Sequence, residues 1–189
     1  MRRLLYIVGA AALVAVVVIG LSQAGGGSER APARTFDLDE AKRQLAGAPG
    51  PLAALHEQSN AILEGPAFER AVAGLEGHPI VVNKWASWCR PCRAEFPIFQ
   101  QVATSRGKQV AFLGLNAEDK RPAAEAFLRE RPLPYPSYED ADEAIARELD
   151  AAKYFPMTIF IDAKGDTAFV KAGEYTSGAE LEADIDKYL

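Results

Sequence analysis

The chain has 189 residues, 49% hydrophobic and 25% charged, with 26 acidic against 21 basic side chains and a net charge of −5. An acidic balance argues against a nucleic-acid partner, which needs a basic surface. With two histidines and no glycine-rich loop after a strand, the chain offers neither a Ser-His-Asp set nor a phosphate cradle.

Met1-Arg2-Arg3 is basic, and Leu4–Leu21 is an apolar run of 18 residues without a charge. At 1.5 Å per residue the run reaches roughly 27 Å, enough for a hydrocarbon core of about 30 Å. Arginines ahead of the span keep the N-terminus cytoplasmic and export the remainder. Residues 1–24 are therefore read as a cytoplasmic N-terminus and a single transmembrane signal-anchor helix in the cell membrane. A cleaved signal peptide is the alternative, because Ser22-Gln23-Ala24 has small-x-small form. The run is longer than a usual signal core, which favours the anchor. No cysteine lies near the span to carry a lipid.

Residues 25–35 begin Gly25-Gly26-Gly27-Ser28 and read as a flexible linker. Residues 36–76 read as a helical extension that packs onto the domain after it. Asp37-Leu38-Asp39-Glu40 is a capping box and opens a helix over Leu38–Leu45. Ala48-Pro49-Gly50-Pro51 ends it. A second helix is expected over Leu52–Leu63, with Leu52, Leu55, Ser59 and Ile62 along one side, and a third over Phe68–Leu75. His56 and His78 read as surface or cap residues.

Residues 77–189 alternate between strand and helix patterns, as an α/β chain should. Pro79–Trp85 is a β-branched and apolar run and reads as a strand. Cys89-Arg90-Pro91-Cys92 follows at once and holds the only two cysteines. Phe96, Phe99 and Ala103 come next at helical spacing, so Cys89 sits where a strand hands over to a helix N-terminus. Backbone N–H groups and the positive dipole end there favour thiolate over thiol. Arg90 adds positive charge beside it, and Pro91 fits the first helical turn without losing a needed donor. Cys92 lies one turn on, within reach of the Cys89 sulfur.

Three readings of this pair stand. A zinc site needs about four ligands, and only His56 and His78 remain as soft donors, without finger-like spacing. A structural bridge would close a very short loop and stabilise little. A redox dithiol, with Cys89 attacking and Cys92 resolving, makes the best use of the pair and needs neither metal nor cofactor.

Downstream, Gln109–Asn116 reads as a buried strand, Pro122–Arg131 as a helix, Tyr135–Tyr138 as a short strand and Asp142–Leu149 as helical. Met157–Asp162 and Thr167–Lys171 form a hairpin around Ala163-Lys164-Gly165-Asp166. Ser177 caps a last helix with Leu181, Ile185 and Leu189 inward.

Trp85-Ala86-Ser87-Trp88-Cys89-Arg90-Pro91-Cys92-Arg93-Ala94-Glu95-Phe96-Pro97 resembles the active site of thioredoxin-like proteins, most closely the TlpA/ResA branch of membrane-anchored thiol-disulfide oxidoreductases. The resemblance runs from about Gly77 to Leu189. It implies a thioredoxin-like α/β fold, a central mixed sheet flanked by helices. It implies that Pro156, in Tyr154-Phe155-Pro156-Met157, is a cis-proline packed against the cysteines, with the Phe155 backbone offered to an incoming peptide. The 67 residues from Cys89 to Pro156 leave room for the extra strand-helix insert of that branch.

Asn83 stands where thioredoxins carry a buried acid, and it cannot titrate. Glu95 matches an acidic position of the ResA-like branch and is the candidate to replace that acid. The other reading of Glu95 is a solvated first-turn glutamate that merely favours the helix dipole. Lys84 replaces a usual aromatic residue and is expected at an edge or facing a cavity.

The resemblance further implies an extracytoplasmic, reducing role in cell redox homeostasis. Its clients would be proteins with disulfides or dithiols, such as apocytochrome c during cytochrome c biogenesis, and its electron donor a membrane thiol reductase. A DsbA-like disulfide-forming oxidase and a non-catalytic, redox-sensing membrane protein remain as alternatives.

Overall fold

The computed structural model describes residues 35–189, of which Phe36–Leu189 form one compact unit. The expected membrane span at Leu4–Leu21 and nearly all of the expected linker lie outside the described residues. Among the described residues, no helix is long and apolar enough to cross a membrane.

The first helix, α1, covers Leu38–Leu45, and the Asp37 carboxylate accepts the Glu40 N–H at its start. The second, α2, covers Gly50–Glu57. The sequence pattern predicted this helix two residues later and running on to Leu63. Instead Pro51 occupies its first turn, where a missing N–H costs nothing. Asn60, at φ +66°, turns the chain out of the helix, a conformation asparagine tolerates. That turn is held from outside the helix. The Asn60 carbonyl oxygen of the side chain accepts the Leu133 N–H, and its main-chain N–H donates to the Tyr135 carbonyl. Ile62–Leu63 then forms a short strand, β1, and α3 follows over Ala67–Gly74.

The remaining elements are β2 (Ile80–Trp85), α4 (Arg90–Arg106), β3 (Ala111–Ala117), α5 (Arg121–Glu130), β4 (Ser137–Asp140), α6 (Ala144–Glu148), β5 (Met157–Ile161), β6 (Thr167–Ala172) and α7 (Gly178–Tyr188). Two boundaries moved for local reasons. The strand expected over Tyr135–Tyr138 begins at Ser137, because Pro134 and Pro136 cannot donate to a ladder. The helix expected from Asp142 begins at Ala144, because Glu143 is left-handed at φ +57°. The Asp140 carboxylate then accepts the N–H groups of Ile145 and Ala146.

The sheet has six strands in the order β1-β4-β3-β2-β5-β6. β1 to β4, β4 to β3 and β3 to β2 pair parallel; β2 to β5 and β5 to β6 pair antiparallel. The sheet is therefore mixed, and helices cover both faces. Val81, Trp85, Phe112 and Phe160 pack with Phe96 and Phe99 of α4, Phe127 of α5 and Leu181 of α7. Ile80, Val82, Leu113 and Ile159 pack with Leu52 and Leu55 of α2 and Phe68 of α3. The 36–76 segment thus supplies one wall of the core and one strand of the sheet.

β2 is central and buried along its whole length. Of the two positions expected for Lys84, an edge or one facing a cavity, this overturns the edge: Lys84 lies on an interior strand flanked by β3 and β5. Close backbone packing holds the end of β2. A Cβ at Gly114 would stand 2.1 Å from the Ser137 Oγ, so only glycine lets that hydroxyl reach the indole N–H of Trp85, which donates to it at 3.1 Å.

Candidate active site

β2 ends at Trp85, and the chain turns through Ala86-Ser87-Trp88 into α4. An acid from the β3–α5 connection holds this turn. The Asp119 carboxylate accepts the Ser87 N–H, the Ser87 hydroxyl at 2.9 Å and the Asn116 amide at 3.1 Å. The Trp88 indole N–H donates to the Glu118 carbonyl at 2.9 Å. The sequence does not single out Asp119 and Asn116. Their partners at the site turn, Ser87 and the Trp85 carbonyl, lie about thirty residues away, and no local pattern marks such a contact.

Cys89 is the N-cap of α4, and its Sγ accepts the Cys92 N–H at 3.1 Å. Cys89 and Cys92 are joined as a disulfide. Cys92 is fully buried and Cys89 is 2% exposed, so the little access the pair has is at Cys89. Pro91 lies in the first turn. Arg90 is exposed and makes no ion pair among the described residues. A bridged sulfur at a helix N-terminus is a fitting electrophile, because the amide dipoles stabilise the thiolate that leaves or forms when the bridge opens.

The Phe155–Pro156 peptide bond is cis, and Met157 directly after it pairs with Lys84 across β2 and β5. The Phe155 ring packs on Trp88, with centroids 5.0 Å apart. Trp88 at 56% and Tyr154 at 63% are the large hydrophobic residues most exposed among the described residues. Both adjoin this contact in sequence.

Glu95 is fully buried, one helical turn beyond Cys92. It is therefore not a solvated first-turn glutamate. Its Oε1 accepts the Asn83 side-chain amide at 2.8 Å, and its Oε2 accepts the Tyr175 N–H at 3.2 Å. Burial disfavours the carboxylate and pushes the Glu95 pKa from 4.5 up to about 8; the two donated hydrogen bonds oppose the shift without cancelling it. Asn83 Oδ1, Thr158 Oγ1 and the Tyr135 hydroxyl are buried nearby in the core without partners among the described residues.

The two histidines stand apart from this group. His56 is half-buried against Gly107, at the opposite end of α4 from Cys89, and burial lowers its pKa. His78 precedes β2. Among the described residues, no three His, Cys, Asp or Glu side chains are grouped to hold a metal ion.

The Redoxin family model matches residues 69–189. A thiol:disulfide interchange protein DsbE of Pseudomonas fluorescens biotype C is 40% identical over 94 residues, 49% of this chain and 51% of that protein. A thiol-disulfide oxidoreductase ResA of Oceanobacillus iheyensis is 28% identical over 106 residues, 56% of this chain and 55% of that one. The chain spans about half the length of the curated relatives it matches. Among solved structures, MTB dsbF in its mixed oxidized and reduced forms superposes with a TM-score of 0.55 at 29% identity, covering 61% of this chain and 84% of that one. The mixed sheet with its flanking helices is thus a thioredoxin-like fold.

The Glu95 shift sets a sign for stability. A carboxyl group whose folded pKa lies above its unfolded value keeps its proton longer in the folded state, so stability falls as pH rises between 4.5 and about 8. One proton gives a slope of at most about 1.4 kcal/mol per pH unit. Urea unfolding of the oxidised protein across this window should show Glu95→Gln with a flatter profile than wild type, and the gap between them should widen toward pH 8. Parallel profiles would mean that Glu95 titrates as an ordinary exposed acid.

Proposed function

Because this chain belongs to the Redoxin family and is TlpA/ResA-like, we propose that it is a thiol-disulfide oxidoreductase that exchanges electrons with client proteins through Cys89 and Cys92. The observation that carries this reading is the Cys89–Cys92 bridge at the N-terminus of α4 with a buried acid, Glu95, one turn behind it. The relatives named as thiol:disulfide interchange and thiol-disulfide oxidoreductase proteins support it.

In the reducing direction, the Cys89 thiolate attacks one sulfur of a client disulfide. The client S–S bond breaks, one client thiolate leaves and is protonated from water, and a mixed disulfide forms. Cys92 then gives its proton to the Glu95 carboxylate and attacks the Cys89 sulfur. The second client thiol is released, and the two electrons of the pair have passed to the client. To reset the pair, one thiolate of an external dithiol, supplied by a membrane thiol reductase, attacks Cys89. As the bridge opens, Cys92 leaves as thiolate and takes the proton back from Glu95. The second thiolate of the dithiol then displaces the Cys89 thiolate; the reductase is left as a disulfide and the pair reduced. Burial raises the Glu95 pKa to about 8, so its carboxylate is a stronger base than an exposed glutamate would be.

The other residues act through placement. Trp88 and Phe155 make an apolar wall beside the bridge, and the Phe155 backbone before Pro156 presents hydrogen-bonding groups to a client chain. Pro91 and Arg90 shape and charge the first turn of α4. We read the direction as reductive and the clients as apocytochrome c-type cysteine pairs, on the strength of the TlpA/ResA likeness. Arg90 favours a second reading, a DsbA-like oxidase, since positive charge beside Cys89 stabilises the reduced pair. The apolar Leu4–Leu21 run behind two arginines supports an anchored protein with its catalytic domain outside the cytoplasm.

Cys92→Ser should accumulate mixed disulfides with client proteins on non-reducing gels, and Cys89→Ser should not; the reverse pattern would exchange their roles. A redox titration of the pair decides direction. We expect a potential near or below about −220 mV, whereas a value near about −120 mV would establish the oxidase reading. Full-length protein should remain in the membrane fraction through a carbonate wash. A soluble product that starts at Gly25 would identify the run as a cleaved signal.

A further inference from the structure

Lys84 is fully buried on the central strand of the sheet. A buried ammonium carries a desolvation cost that an apolar residue there would avoid, and the reaction described above does not use it. Its surroundings show what it holds. An ammonium has three N–H donors, and all three are taken. Lys84 Nζ donates to the Glu143 carboxylate, to the Ala151 carbonyl at 3.0 Å and to the Tyr154 carbonyl at 3.2 Å. It also stands 4.0 Å from the centroid of the Phe155 ring, a cation–π contact.

All four contacts fall within Glu143–Phe155, the segment that leads into Pro156. Local bonds, among them those from Ile145 and Ala146 to the Asp140 carboxylate, hold its first half, and from Ala151 on the contacts of Lys84 hold it from the sheet. Its one helix, α6, is five residues long. Glu143, Asp150 and Lys153 sit at φ +57°, +54° and +84°, a region that aspartate tolerates and that costs glutamate and lysine backbone strain. The last contact is shared with the site, because the Phe155 ring that caps the ammonium is the one that packs on Trp88.

We propose that Lys84 is a positioning residue for client binding: its ammonium pins Glu143–Phe155 from beneath, so that Phe155 stands against Trp88 as a prearranged apolar wall for a client polypeptide, with the exposed Tyr154 next to it in the chain. The proposal rests on the oxidoreductase reading. None of the contacts of Lys84 among the described residues is with a cysteine, so its removal should weaken docking and leave the sulfur chemistry in place. Prearrangement raises affinity by sparing a ligand the cost of ordering the loop. A polypeptide touches the wall, and a small disulfide does not need it.

The test uses the full-length chain. Insulin serves as protein disulfide with dithiothreitol as electron donor, so that each insulin bridge opened yields two thiols and one oxidised dithiothreitol. 5,5′-Dithiobis(2-nitrobenzoic acid) serves as the small disulfide, mixed in a single turnover with pre-reduced protein. For Lys84→Met we expect KM for insulin to rise about five- to tenfold while kcat, the small-disulfide rate and the equilibrium constant with glutathione each stay within twofold. Glu143→Gln keeps an oxygen acceptor but removes the charge partner from a partly exposed position; it should raise KM about two- to threefold, and it decides the matter if Lys84→Met does not fold. An unchanged KM in the folded variants, or insulin and small-disulfide rates that fall by the same factor, would overturn the positioning role. Wild-type protein inert toward both disulfides would overturn the oxidoreductase reading and this proposal with it.

Discussion

Asn83 and Lys84 are neighbours on a strand that is covered on both faces, and neither can reach water. Desolvation makes each hydrogen bond there valuable, because an unpaired polar group is costly. The Lys84 ammonium and the Asn83 amide group both donate, while Asn83 Oδ1 stays without a partner among the described residues. Successive side chains on a strand point to opposite faces, so the two sets of bonds lie on opposite sides of the sheet. On one side Asn83 donates to Glu95 and fixes that carboxyl group one turn behind Cys92. On the other Lys84 gathers Glu143, Ala151 and Tyr154 and fixes the segment before Pro156. Two polar residues in an otherwise apolar strand thereby locate both the buried acid behind Cys92 and the segment that leads into Pro156.

The same burial gives the two cysteines different surroundings. Cys89 caps α4 and feels the helix N-terminus directly, an environment that favours negative sulfur. Cys92 is enclosed within the core among Trp85, Phe96 and Phe99, an environment that disfavours it. Glu95, one helical turn further along α4, is buried as completely as Cys92.

What could be read in the sequence follows the range of the forces involved. The capping box at Asp37, the apolar run of β2 and the spacing of Phe96 and Phe99 act within one turn or one strand, and each element they mark is present. The tail of α2 was misread because Asn60 is held by Leu133 and Tyr135, more than seventy residues away. Ser59-Asn60 is itself a turn signal that could have been weighed against helical spacing. In the site, the cysteine pair, Trp88, Phe155 and Pro156 stood out in linear motifs. The burial of Glu95 did not, since a first-turn glutamate has the same pattern whether it faces water or core. Asp119 and Glu143 have no local signature at all: each matters only through partners that the chain brings back from 32 and 59 residues away.

The amide at position 83 has a consequence for how protons are counted. A second carboxyl group there would share its site with Glu95, and the two would lose their protons in coupled macroscopic steps that belong to neither residue alone. With asparagine at position 83, Glu95 titrates without such a partner there. Burial raises its pKa, so the neutral acid is the form that the enclosure favours. When the proton does leave, the charge meets donors already in place: the Tyr175 N–H at one oxygen and the Asn83 amide at the other.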